Sequence, residues 1–185
     1  MTILYIVLGI AVLILLWIIF AYNRLVSLVN QTKEAWADIE VQLKRRYDLI
    51  PNLVSTVKGY AAHESGAFEN VTKARASAMG ATSLRDKGMA ESSLAGALRT
   101  VFAVAEAYPD LKANQNFLAL EQELSDTENK IQSARRFYNG NVRDLNTAIE
   151  SFPSNVVASL FHFGRMELFD LPDEHAAQEP VEVKF

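Results

Sequence analysis

Three histidines, at positions 63, 162 and 175, are the side chains of this chain most readily turned to catalysis. His63-Glu64 opens like the helical zinc-protease motif, in which two histidines four residues apart face one metal ion and the glutamate serves as base. Four residues after His63 stands Ala67, so the second ligand is missing. A di-iron bundle site needs two Glu-x-x-His pairs. The residues three before the histidines are Tyr60, Ser159 and Pro172, so this pattern fails as well. Cysteine is absent, which excludes thiolate chemistry, a disulfide framework and a lipid-modified N-terminal cysteine. There is no glycine-rich phosphate loop and no serine in a nucleophile elbow. The expectation is a non-enzymatic protein with no cofactor and no bound metal.

The densest charge cluster is Lys44-Arg45-Arg46, close to Asp48. Lys44 reads as part of a solvated helix face. Arg46 falls on an apolar stripe, where an unpaired charge costs several kcal/mol. Its candidate partners are Glu123, Asp126 and Glu128, on a long helix later in the chain. The expectation is a cross-helix polar network of Arg46, Asp48, Glu123, Asp126 and Glu128 that sets the register of a helical bundle. A ligand-binding role for the same cluster is the lesser alternative. Asn52, Asn114, Asn116 and Asn129 read as helix caps, with membership of that network as the lesser alternative. Trp36, Tyr47, Tyr60, Tyr108 and Tyr138 recur at helical spacing and read as core.

The elements that must position these groups are helices. Glycine (8) and proline (5) are scarce, and strand-like alternation is absent until the last few residues. Leu25, Val29, Thr32, Trp36, Ile39, Leu43, Arg46, Ile50, Leu53, Val57 and Tyr60 follow a 4-3 spacing, the seam of a bundle or coiled coil. Pro51 interrupts this seam and should kink or restart the helix, because it has no N–H and crowds residue 47. Phe68, Val71, Ala74 and Ala78 carry the pattern on, and residues 80–88 read as a loop. A second helix is expected over about 89–107 and a third over about 113–150. Phe152-Pro153-Ser154-Asn155 should end the third, with Ser154 or Asn155 capping a short apolar helix over 156–163. The fold class is therefore all-α, an antiparallel bundle of three to four long helices.

Ahead of the bundle, Ile3 to Tyr22 form twenty positions without a charge. At ~1.5 Å per residue such a helix covers about 30 Å, the thickness of a bilayer's hydrocarbon core. Ile3, Leu8, Leu13, Trp17 and Tyr22 mark this span. A cleavable signal peptide would need a basic start, a shorter apolar run and a small-x-small cleavage site. An uncleaved single-pass anchor fits better. Lys and Arg follow the span and do not precede it, which favours a cytoplasmic bundle. The expected organisation is an anchor over 1–23, a helical domain over 24–170 and an extended tail over 171–185. In the tail, Val181, Val183 and Phe185 alternate with polar residues and could add to a partner's sheet edge or strap a bundle. A formal net charge of −4 without a basic run argues against nucleic acid as a partner.

Several multi-residue stretches resemble the LemA family. They are Glu34-Ala35-Trp36, the run from Val41 to Val54, Val57-Lys58-Gly59-Tyr60, His63-Glu64, and Glu106 to Asn114. Further matches are Thr127-Glu128-Asn129-Lys130-Ile131, Tyr138-Asn139, Phe152-Pro153-Ser154-Asn155 and the closing Val-x-x-x-Phe. Gly140-Asn141 departs from the pattern and should alter packing only locally. The resemblance implies a bacterial inner-membrane protein with one N-terminal span and an antiparallel helical bundle. It implies no reaction. Family genes often neighbour those of a membrane protease of the HtpX type or of other envelope proteins, which suggests partnership. The first functional expectation is a membrane-anchored scaffold that forms a homo-oligomer on the lipid bilayer. The second is an adaptor for a membrane protease or another envelope protein.

Overall fold

Six helices follow one another: α1 (Thr2–Lys58), α2 (Ser65–Gly80), α3 (Leu84–Glu106), α4 (Pro109–Lys112), α5 (Gln115–Glu150) and α6 (Ser154–Leu160). The computed structural model describes residues 1–61 and 63–170, and among them there is no strand. The chain is all-α and opens with a long apolar helix. Val181, Val183 and Phe185 lie outside the described residues.

The chain divides into two compact units, Met1–Asp38 with Ala134–Leu168, and Ile39–Ser133 with the segment that begins at Phe169. In the first unit, α1 and α5 run antiparallel. Trp36 packs on Tyr138 with ring centroids 5.4 Å apart, and one turn earlier Asn141 Nδ2 donates to the Gln31 carbonyl at 3.5 Å. Nearer the apolar end, Ala21 and Leu25 of α1 form a buried cluster with Val157 and Ala158 of α6, joined by Ala148 and Ile149 of α5. The seam residue Thr32 is buried, yet its hydroxyl is satisfied by its own helix, donating to the Leu28 carbonyl at 2.8 Å. After α6, His162 turns the chain with φ 58°, a left-handed conformation that histidine, like asparagine and aspartate, adopts more readily than β-branched residues. The returning segment is clamped by Asn146: its Oδ1 accepts from the Met166 N–H at 3.0 Å and its Nδ2 donates to the Met166 carbonyl at 2.9 Å. Tyr138 donates to the Glu167 carbonyl at 2.9 Å. Burial, with the Glu167 carboxylate nearby, pushes the Tyr138 phenol above its ordinary pKa.

The second unit is a small bundle. Ile39, Leu43, Ile50, Leu53 and Val57 of α1 are all buried, at the seam spacing read from the sequence. They share the unit's core with Phe68 and Val71 of α2, Leu94, Leu98 and Val101 of α3, and Phe117, Leu124 and Ile131 of α5. Here too α1 and α5 are antiparallel: Asn114 Nδ2 donates to the Tyr60 hydroxyl at 2.9 Å, while further back along α1 Arg45 meets Glu123. Asn114 also caps α5, its Oδ1 accepting from the N–H groups of Asn116 and Phe117. Tyr60 itself is exposed, unlike the core position expected for it.

Four local expectations need correction. Pro51 does not restart the helix; α1 continues to Lys58. The expected loop over 80–88 shrinks to residues 81–83. Ser83 caps α3 by accepting from the Asp86 N–H at 3.0 Å, so helix begins at Leu84 despite Gly88. Phe68 and Val71 belong to a separate helix, because α1 ends at Lys58 and α2 begins at Ser65. Ser154 does not cap α6. Its hydroxyl donates to the carbonyls of Ala148 and Ser151, at 2.6 and 2.9 Å, and so finishes α5 instead.

Gly88 is required where it stands. A Cβ there would sit 2.6 Å from the Asp170 carbonyl oxygen, so glycine lets the segment carrying the fully buried Phe169 pass this close to α3.

Candidate functional site

The polar centre of the second unit is built on α1 around Pro51. Proline has no N–H, so the carbonyl of Tyr47, four residues earlier, loses its helical donor. Arg75 of α2 supplies one: its Nε donates to the Tyr47 carbonyl at 2.7 Å. This bond shows how proline is accommodated inside the helix, and it ties α2 to α1 beside the buried charges.

Those charges converge from three helices. The Arg46 side chain is 4% exposed and donates through Nη2 to Glu91 of α3 and through Nη1 to Glu128 of α5. Glu91 is 2% exposed and also accepts from the Tyr47 hydroxyl. Burial, followed by the hydrogen bond to Glu91 and its charge, pushes the Tyr47 phenol far above its ordinary value, so it remains a donor. Glu128 is 37% exposed and reaches water. A charge of this kind is tolerated in a core only when its hydrogen-bonding capacity is nearly filled. Arg46 Nε is the one atom of this group without an acceptor among the described residues.

The other residues expected in this network lie apart from it. Glu123 pairs with Arg45 at 2.6 Å on an exposed surface. Asp48 pairs with Lys44 at 2.5 Å, one turn away on the same helix face, also exposed. Asp126 accepts from Gln122 at 2.9 Å. Sequence reasoning missed Glu91, although a signal existed. Positions 91, 94, 98, 101 and 105 form one apolar stripe, and a glutamate on such a stripe must find a buried partner.

Beside the centre lies a cleft of about 420 Å³, lined by Arg46, Leu98, Arg99, Phe102, Leu124 and Glu128 among others. Both terminal nitrogens of Arg46 are already engaged, Nη2 with Glu91 and Nη1 with Glu128, and the Glu91 carboxylate also accepts from Tyr47. This leaves the centre suited to fixing helices rather than to moving protons. Among the described residues no three His, Asp or Glu side chains gather in a metal-holding group. Asn129 borders the same cleft, and Asn52 offers its carbonyl to Thr56 within α1.

The second candidate site is the N-terminal stretch of α1, in the first unit. It contains an 18-residue window of mean hydropathy 3.1, none of it buried among the described residues. Ile3, Leu8 and Leu13 are wide open, and Trp17 and Tyr22 are exposed at the end nearer the packed residues. Such a helix is compatible with membrane anchoring, since water is a poor solvent for a bare apolar surface of this length.

Comparison with known proteins bears on both features. The LemA family model matches residues 35–185, which take in Arg46, Tyr47, Pro51, Arg75, Glu91 and Glu128. The chain is 25% identical to the magnetosome protein MamQ of Magnetospirillum gryphiswaldense, over 89% of this chain and 69% of that protein. It is 24% identical, over the same shares, to magnetosome protein MamQ 1 of Paramagnetospirillum magneticum. It is 28% identical to protein LemA of Metamycoplasma hominis, over 80% of this chain and 68% of that protein. None of these names denotes a reaction. With the family model covering most of its length, polar centre included, the chain belongs to the LemA family.

Proposed function

We propose that this protein is a non-enzymatic scaffold, anchored in the bacterial inner membrane by α1 and assembling there with copies of itself. The observation that carries this reading is the continuity of α1. In the first unit, its bare apolar stretch passes without a break into the residues that pack on α5 and α6. A helix of this kind leaves no flexible linker at the membrane surface, and confinement to the bilayer plane raises the effective concentration of neighbouring bundles. Arg24 and Lys33, the nearest charges, favour a cytoplasmic bundle. The buried centre of Arg46, Glu91 and Glu128 serves to set helix register. The names of the relatives, which point to a cell structure or a family and not to a reaction, support a structural role.

The test is the native mass of the full-length chain in mild detergent, measured by light scattering beside a chain that begins at Arg24. A discrete homo-oligomer that depends on the stem is expected. A monomer in both forms would refute self-assembly and shift the function to an adaptor for a membrane protease or another envelope protein, to be sought by capture with the intact chain.

A further inference from the structure

From Ser151 to Gly164 the chain carries no Asp, Glu, Lys or Arg, and the flanks of this run are pinned together, Arg165 Nη1 lying 3.0 Å from Glu150 Oε1. Within it, α6 turns Val157 and Ala158 onto Ala21 and Leu25 of α1. Its other face sets Val156 and Leu160 beside Asn155 and Ser159, with Phe152 just ahead of the helix. Phe152, Val156 and Leu160 are 83%, 59% and 66% exposed. A helix on a water-facing surface keeps polar residues outward, and an apolar outer face needs an apolar environment.

The position of α6 says what that environment is. It packs on α1 beside residues 18–25, where the uncharged stem gives way to Arg24. A stem spanning Ile3–Tyr22 places this contact at the edge of the hydrocarbon, in an interfacial layer about 5–8 Å thick on each side of a bilayer. The Tyr22 and Phe161 rings meet there edge to face with centroids 4.8 Å apart, and tyrosine favours that depth. A neighbouring cleft of about 500 Å³ is lined by both kinds of side chain, Trp17, Phe20 and Phe152 together with Arg24 and Asp144.

We propose that the apolar patch formed by Phe152, just ahead of α6, and by Val156 and Leu160 on α6 seats in the headgroup–acyl boundary of the bilayer that holds the stem. It is a second membrane contact made by the bundle itself. The occupant is lipid rather than a second copy because the patch is continuous with the stem and lies at the depth where the stem leaves the bilayer. The proposal rests on the membrane-anchor reading of α1.

The chain has no cysteine, so single cysteines can be introduced and labelled cleanly. Leu160→Cys, Ile10→Cys and Phe137→Cys all replace exposed residues, and each carries an environment-sensitive fluorophore on the full chain in phosphatidylcholine vesicles. Doxyl-labelled phosphatidylcholine is expected to quench positions 10 and 160 several-fold more than position 137, with aqueous iodide showing the reverse. Quenching at 10 with 160 behaving like 137 would overturn the proposal and leave the anchor standing. No lipid quenching at 10 would overturn the anchor itself. Protection of 160 from both quenchers would show protein covering the face, and would equally overturn the proposal.

Discussion

Replacing Arg46 with leucine tests whether the buried charges hold the second unit together. In the substituted protein Glu91, 2% exposed, keeps only the Tyr47 hydroxyl as partner among the described residues. A buried charge stripped of its counter-charge destabilises by about 3–5 kcal/mol. Glu128 loses the same partner but is 37% exposed, so hydration replaces most of what it loses. In a chain of this size 1 kcal/mol moves the melting temperature by about 2–4 °C, so Arg46→Leu is expected to lower it by roughly 6–20 °C. The assay is thermal loss of the helical circular dichroism signal of the full chain in mild detergent. Adding Glu91→Leu removes the stranded carboxylate, and the double variant should recover most of the loss, because a buried ion pair is often no more stabilising than apolar side chains of similar size. An Arg46→Leu protein melting within about 2 °C of the parent would refute the reasoning. So would a double variant as unstable as the sum of its two single changes.

Further expectations concern the surroundings of that centre and the crossing segments. Arg75→Leu leaves the Tyr47 carbonyl without a donor and should cost about 1–3 kcal/mol; Pro51→Ala, which restores the N–H, should rescue it in a denaturant series. Tyr47 has a phenol pKa raised above 10.0, so its contribution is intact below pH 10 and is lost as pH climbs from there towards the folded-state value. Tyr47→Phe should cost about 1.5–3 kcal/mol at neutral pH and flatten the alkaline fall in melting temperature. Gly88→Ala should destabilise by about 1–3 kcal/mol by pushing on the Asp170 carbonyl, whereas Gly140→Ala, which meets open space inside α5, should stabilise by about 0.5–1 kcal/mol. Asn146→Ala removes both bonds to Met166 and should speed amide exchange over 161–169 by tenfold or more, about 1.4 kcal/mol of local stability.

The legible part of this protein was periodic. An uncharged run of twenty residues, and seam residues every three or four positions from Leu25 to Val57, were enough to determine an apolar helix continuing into an all-α fold, since each helix buries its own stripe. The burial of Arg46 followed from the same stripe. Its partners did not. Glu128 was one of three carboxylates within plausible reach, and Glu91, inside the helix expected over 89–107, was not among them. Asp48 looked equally suitable and went to the surface with Lys44. Which side chains meet across helices depends on rotation and register between segments far apart in sequence, and periodicity within one helix carries no such information. The same holds for Arg75 and Pro51: the missing N–H is visible in the sequence, but the residue that replaces it comes from another helix. Tertiary structure alone also decided that Gly88 marks a backbone crossing and that α6 shows apolar residues on both faces. Each is a fact about what lies opposite a residue, which only packing determines.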